Sequence, residues 1–345
     1  MLLQFVADLL KEEYPQAPNL KRLENLGLGN LQQLLTDKKV VGQHKLENVG
    51  MVLVLDASFD RLNDCQKSLL QNISVYRGVV NAKAAMAVYP GSSETEIETE
   101  LRNLVRRSFL SEKLIDDGRW FEFQPVVLEY VRYKAGNQTE THQQAINYYR
   151  SIAKQSGWQT KDDIKEYLEI FYHFYQLQDY DSAFEAIRHC HDFLTLRGYY
   201  ANQVELYGQL VSKWAEIGDT ENWNYRASLI SLGNAYDSLG QYQTAIDFYQ
   251  QSLKIKREIG DVGGEANAWF NLGLVLEKVD READALGAYR NACGLYGTMG
   301  LDADVQDCND AINRLSQPEK PVVSRRGFWR WLGRLWRWVR RWFRR

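Results

Sequence analysis

The feature that most constrains this chain is a pattern that returns after 40 residues: Gly233 and Gly273, Ala245 and Ala285, and Tyr249 and Tyr289 all share that interval. The fuller run Leu232-Gly233-x-x-Tyr236 … Gly240-x-Tyr242-x-x-Ala245-x-x-x-Tyr249 aligns with Trp269-x-x-Leu272-Gly273 … Ala285-x-x-x-Tyr289-x-x-Ala292. A weaker copy precedes them, Tyr167 … Ile170 … Phe174 … Tyr180-x-x-Ala183 … Ile187. Helical spacing inside a repeat of this length predicts stacked helical hairpins, none of which can bury its apolar face alone. The glycines allow close approach of a neighbour, the alanines suit helix crossings, and the aromatics fill the gaps between hairpins.

These residues resemble the tetratricopeptide repeat (TPR). The resemblance covers roughly 162–298, with 303–316 expected as a capping helix. It implies a protein or peptide partner lying against the first helix of each hairpin. The positions it assigns to that groove are Leu168, Tyr172, Tyr175, Ile230, Asn234, Asp237, Phe270, Leu274 and Glu277. TPRs that hold chaperone tails clamp a terminal carboxylate with Lys and Asn. Ile230 and Phe270 stand where such clamps belong, so the resemblance implies aromatic and apolar contacts with no free-carboxylate requirement.

Upstream, the pattern changes. Residues 51–135 read as a compact α+β unit. A helix is expected near Ala82–Val88, a second after Ser92-Ser93-Glu94, then two aromatic-rich runs around Asp116-Asp117-Gly118, and a helix opening at Pro125. Asp-Gly between two apolar runs is a hairpin signal, and Pro suits a first helical turn. Helices followed by a hairpin and a helix outline a winged helix. Ser58-Phe59-Asp60-x-Leu62, Ser74-Val75-Tyr76 and Leu101-x-x-Leu104-Val105-x-x-Ser108-Phe109-Leu110 resemble the ARC and winged-helix segment of NB-ARC/STAND signalling ATPases. The predicted order is therefore an ARC-like helical segment (1–50), a winged-helix-like domain (51–135), TPR helices (140–316), a linker (317–327) and a basic amphipathic helix (328–345). The fold class is mostly α.

A STAND motor needs a P-loop, in which backbone N–H groups cradle phosphates and a Lys reaches the β/γ oxygens. No Gly-Lys pair occurs anywhere in the chain. Met51–Asp56 mimics a Walker B strand, but without a partner motif it carries no chemistry. The family places a His at the start of the last winged-helix helix, and Gln124 occupies the matching position here. No catalytic constellation is found, and the expectation is a non-enzyme without cofactor or metal. His189-Cys190-His191 does not suit a metal, because i and i+2 leave a helix on different faces. The scattered cysteines (Cys65, Cys190, Cys293, Cys308) read as reduced thiols of a cytoplasmic chain.

Charge is unevenly distributed. Of 42 basic residues, nine are arginines at 321–345, where no acid occurs; the remaining chain sets 33 basic against 45 acidic side chains, a net of −12. At about 100° per residue, Phe328, Trp329, Trp331, Leu332, Trp336, Trp338, Trp342 and Phe343 fall on one half of a helical wheel. Arg330, Arg334, Arg337, Arg340 and Arg341 fall on the other half. Such a split marks an interfacial helix on an anionic membrane surface. That predicts peripheral attachment to the inner face of a membrane, since no apolar run is long enough to span one. Docking onto an acidic protein groove and nucleic-acid binding are the competing readings. A winged helix could read DNA, but an acidic body opposes phosphate binding.

The expectation is a TPR scaffold held at a membrane. The alternative is the regulatory part of a STAND ATPase whose nucleotide-binding domain lies upstream or on another chain.

Overall fold

The computed structural model describes residues 54–316. The expected segment 1–50, the linker 317–327 and the arginine/tryptophan stretch 328–345 lie outside the described residues. Among the described residues the chain is mostly helical, with one two-stranded antiparallel sheet and a TPR-like helical repeat region. It divides into two compact units at Phe193/Leu194.

The first unit opens with helical residues 54–60 (α1) and continues through α2 (Asp64–Ile73), α3 (Ala82–Val88) and α4 (Glu94–Arg106). The hairpin β1 (Leu110–Ile115) and β2 (Gly118–Phe123) follows, then α5 (Pro125–Ala135). Local chemistry fixes these boundaries. Asn63 with Gln66, and Ser93 with Glu96, form reciprocal capping boxes, and Asn81 caps α3; each satisfies otherwise orphaned first-turn N–H groups. Pro125 occupies the first turn of α5. The hairpin turn consists of Asp116 and Asp117, both left-handed at φ 48° and 61°, and Gly118 already belongs to β2. Val80 bridges to Phe121, so β2 is flanked on both sides. The core joins Leu55, Phe59, Leu69, Ile73, Leu101, Phe109, Phe121 and Val131.

The described part of the Walker B mimic, residues 54–56, is helical. Asp56 accepts a hydrogen bond from the Tyr130 hydroxyl (2.6 Å) and pairs with Lys134 (2.7 Å). Its carboxylate is a structural tie to α5.

Helices α6 (Thr139–Ile152), α7 (Lys165–Gln176) and most of α8 (Tyr180–Leu196) also belong to the first unit. The second unit holds α9 (Tyr200–Ile217), α10 (Trp223–Ser238), α11 (Tyr242–Ile259), α12 (Val262–Lys278), α13 (Glu282–Met299) and α14 (Asp302–Ser316). One device ends the helices from α7 to α13. A left-handed residue stands at Gln178, Gly198, Gly218, Gly240, Gly260, Asp280 and Gly300. At each, the following N–H reaches back to a carbonyl of the last turn, as from Asp219 to Trp214 and from Leu301 to Tyr296. This six-to-one bond is the Schellman closure. Gln178 and Asp280 adopt the strained geometry without being glycine.

Helix α14 closes the array. Cys308 and Ala311 are buried against α12 and α13, while Asp302, Gln306, Asp307, Asp310 and Asn313 are exposed. A polar outer face is what a terminal repeat needs in water.

Candidate functional site

Helices α10 and α12 are the first helices of the two 40-residue repeats. What sets their position is a tyrosine from the following helix. A Cβ on Gly233 would lie 2.6 Å from the Tyr249 ring, and one on Gly273 would lie 2.7 Å from Tyr289. The sequence asked for close approach at these glycines, and the approaching group is the ring of α11 or α13. Both rings are fully buried, so each hydroxyl needs a partner. Tyr249 donates to Asn234 Oδ1 and Tyr289 donates to Glu277, both at 2.7 Å. Burial raises both phenol pKa values, with Glu277 adding to the effect at Tyr289.

Two of the groove acids are bridged between successive repeats. Asp237 of α10 accepts from Lys278 of α12 at 2.7 and 2.8 Å. Glu277 of α12 accepts from Arg314 of α14 at 2.9 and 2.7 Å. Each acid is the more buried partner, and each cation is partly exposed. Such pairs contribute only about 0.2–1 kcal/mol each, but they cancel charge at the edge of the groove. The sequence reading missed Lys278 and Arg314. A basic residue about one repeat after each groove acid was the available signal.

One to two turns before the bridged acids, the same helices carry apolar residues. Ile230 and Phe270 are half-buried and Leu274 is 37% exposed. Phe270 meets the Tyr289 ring edge-on at 5.5 Å, which fixes its orientation. Ile230, Asn234, Asp237, Phe270, Leu274 and Glu277 therefore share one unit.

Leu168, Tyr172 and Tyr175 lie on α7, in the first unit. There the Arg77 guanidinium stacks on the Tyr172 ring at 4.4 Å. It also donates to Glu169 at 2.8 and 3.1 Å, and to the Leu168 carbonyl at 3.2 Å. Tyr175 packs against Phe171 and Tyr180. Behind Tyr172 is a cluster that sequence reading did not find. His142 Nδ1 and His173 Nδ1 are 2.8 Å apart, joining α6 to α7. His173 Nε2 is buried with no hydrogen-bond partner among the described residues. An unpaired lone pair is cheaper than an unpaired N–H, which assigns the shared proton to His173 Nδ1. Burial, with nearby Arg132, lowers the His142 pKa to about 4. Burial, then His142, Arg77 and Arg132, lowers that of His173 to about 3.

At the other singled-out histidines, His189 stacks on Tyr167 at 4.7 Å while the neighbouring Cys190 thiol is buried and bonds to helix carbonyls. Burial raises the Cys190 pKa to about 12. Among the described residues no group of three His, Cys, Asp or Glu side chains could hold a metal ion, and no helix is long and apolar enough to cross a membrane.

Residues 227–297 match the family model of the tetratricopeptide repeat. This match spans α10 to α13, the two repeats whose geometry is described above. No curated protein matches the sequence. Among solved structures, one similar chain is a STAND protein with a TPR sensor from Pyrococcus horikoshii, at 13% identity and a TM-score of 0.29, over 89% of this chain. The present chain spans 62% of that protein's length. BtubC (BKLC) from P. vanneervenii is similar at 15% identity and a TM-score of 0.24, over 75% of this chain and 96% of its own. A candidate kinesin light chain with nearly identical TPR-like repeats from Podosopora anserina follows at 16% identity and a TM-score of 0.20, over 53% and 86%. TPRs are modules of protein–protein interaction, and residues 227–297 of the second unit match that class.

Proposed function

We propose that the chain is a non-enzymatic scaffold whose second unit binds a protein segment along the first helices of its repeats. One observation carries this reading. Asp237 and Glu277 are already neutralised by Lys278 and Arg314, while Ile230, Phe270 and Leu274, one to two turns earlier on the same helices, remain accessible. A ligand gains by burying that apolar strip and gains little from charge, at about 25 cal/mol per Å² of apolar area. The test is capture of partners from lysate by the intact chain, compared with Phe270→Ala/Leu274→Ala. A specific partner should be lost from the variant with folding unchanged.

The element order from α2 to α5, with Val80 bridging the hairpin, supports a winged-helix-like first unit. We assign it no nucleic-acid role. The exposed start of α4 carries Glu94 and Glu96, with Glu98 half-buried one turn on, and these would oppose phosphates. Residues 328–345 would hold the protein at an anionic membrane surface from the cytoplasmic side, on the strength of their clean apolar/arginine division. Liposome co-sedimentation tests this: Arg337→Glu/Arg340→Glu/Arg341→Glu should abolish binding to anionic vesicles while leaving the apolar face intact.

The second reading, a regulatory part of a STAND ATPase, is favoured by the same order of a winged-helix-like unit before helical repeats. It requires either a P-loop partner among the captured proteins or a P-loop domain upstream in a longer gene product.

A further inference from the structure

In the second unit α9, α11 and α13 end at the edge where α10, α12 and α14 begin. Two contacts tie these turns together. Lys256 first, and Arg226 of α10 in addition, hold the Asp261 carboxyl below the usual range at the α11–α12 turn. A Cβ on Gly263 would lie 3.7 Å from Met299 Sδ, at the end of α13. Along this edge Ile217, Trp223, Ile259, Val262 and Leu301 are each 40–61% exposed. Large apolar side chains at every inter-repeat turn of one edge form a stripe, which scattered surface residues do not.

At these turns the nearest cations are engaged, while several carboxylates stay exposed; Asp219 accepts from Asn222 Nδ2 at 3.0 Å, and Lys254 is exposed one turn before Glu258. Lys256 is paired with Asp261, Arg257 with Glu265, and Arg226 donates to the Glu221 carbonyl. Asp219, Glu221, Glu258 and Asp302 are exposed beside the stripe.

We propose that this edge docks residues 328–345 of the same chain when no membrane is present. The occupant's chemistry matches the surface: tryptophans and phenylalanines for the stripe, arginines for the acids. Chain length permits the return. Helix α14 begins at this edge and carries the chain about 22 Å away at 1.5 Å per residue. Residues 317–327 can span about 36 Å extended, enough to come back. The groove of the first helices is the poorer receptor, since its acids already hold Lys278 and Arg314. Docked, the segment hides its apolar face; anionic lipid competes for it and uncovers the edge. This rests on the same division of 328–345 as the membrane reading, so the test separates the two.

Hydrogen–deuterium exchange on the full chain reads the edge at 214–223, 256–263 and 297–304. Wild type should exchange there at least threefold more slowly than Arg337→Glu/Arg340→Glu/Arg341→Glu, equally at low and high protein concentration. Vesicles containing phosphatidylserine should remove that protection. A second variant, Glu258→Lys/Asp302→Lys, should bind those vesicles at least threefold more tightly by releasing the segment. Equal exchange in wild type and tail variant, or protection that grows with protein concentration, overturns the proposal. Where wild type binds the vesicles, unchanged vesicle affinity of the second variant also overturns it. Vesicle binding without edge protection leaves the membrane reading standing alone. Edge protection without vesicle binding supports the docking and removes the membrane reading.

Discussion

Helix α7 and helices α10 and α12 hold equivalent places in their hairpins, yet they are finished differently. On α7, Arg77 covers Tyr172 and ties down Glu169 and the Leu168 carbonyl. On α10 and α12, cations from the next repeat close only the groove's edge, and Ile230, Phe270 and Leu274 stay accessible. A repeat position therefore does not determine a binding role. The first copy of the pattern has been used to join a hairpin to the preceding domain, and the two regular copies leave an apolar face accessible.

The largest expected difference between the regions is in acid. His142 and His173 have folded pKa values lowered from about 6.5 to about 4 and 3. A histidine depressed in this way stays neutral in the fold, so its stabilisation is complete above about pH 6.5 and is lost as pH falls toward the folded values. The groups facing the pair are Arg77, Arg132, Tyr76, Tyr149 and Tyr172, and the two arginines raise the cost of a third positive charge. The first unit should lose stability steadily as pH falls from 6.5 to 4, and His142→Gln/His173→Gln should flatten that slope. Exchange measured separately in α6–α7 and α10–α13 reads it; equal acid sensitivity in both units would break the comparison.

Next in size is Gly273→Val. With Tyr289 buried and its ring 2.7 Å from the added Cβ, overpacking should cost about 1–3 kcal/mol. It should lower the second unit's melting transition and leave protection in α2–α5 unchanged.

Arg77→Ala should weaken the first unit by about 1–2 kcal/mol, since a charged hydrogen-bond set is lost from a side chain that is partly exposed. Urea titration followed by exchange in α7 checks this. The groove on α10 and α12 should keep its partner.

Smallest is a gain. Asp280 sits at φ 58° where the corresponding residue one repeat earlier is Gly240 at φ 73°. Asp280→Gly should stabilise the second unit by roughly 0.5–1 kcal/mol, visible as a rise in its melting temperature.

These differences also mark what could be read from the sequence. Gly233, Gly273, Tyr249 and Tyr289 are legible because packing repeats with the chain, and Ser93 and Pro125 because capping is local. The Asp116-Asp117 turn was placed correctly, though the turn residues are the two aspartates and not Gly118. Arg77 on α7 and the His142–His173 pair are contacts across 31 to 95 positions with no period to announce them, whereas Lys278 stands about one repeat after Asp237 and could have been found by its spacing. The division at Phe193/Leu194 falls inside α8, whose sequence pattern runs on without a break. Of the nine groove positions, the six on the regular repeats share a unit, and the three on the degenerate copy do not join them.

The most direct measurement is calorimetric titration of a captured, purified partner into the intact chain, into Phe270→Ala/Leu274→Ala and into Tyr172→Ala. An open face on α10 and α12 predicts at least a tenfold loss of affinity in the double variant and no change with Tyr172→Ala. Unchanged affinity in the double variant, or loss on replacing Tyr172 alone, contradicts it.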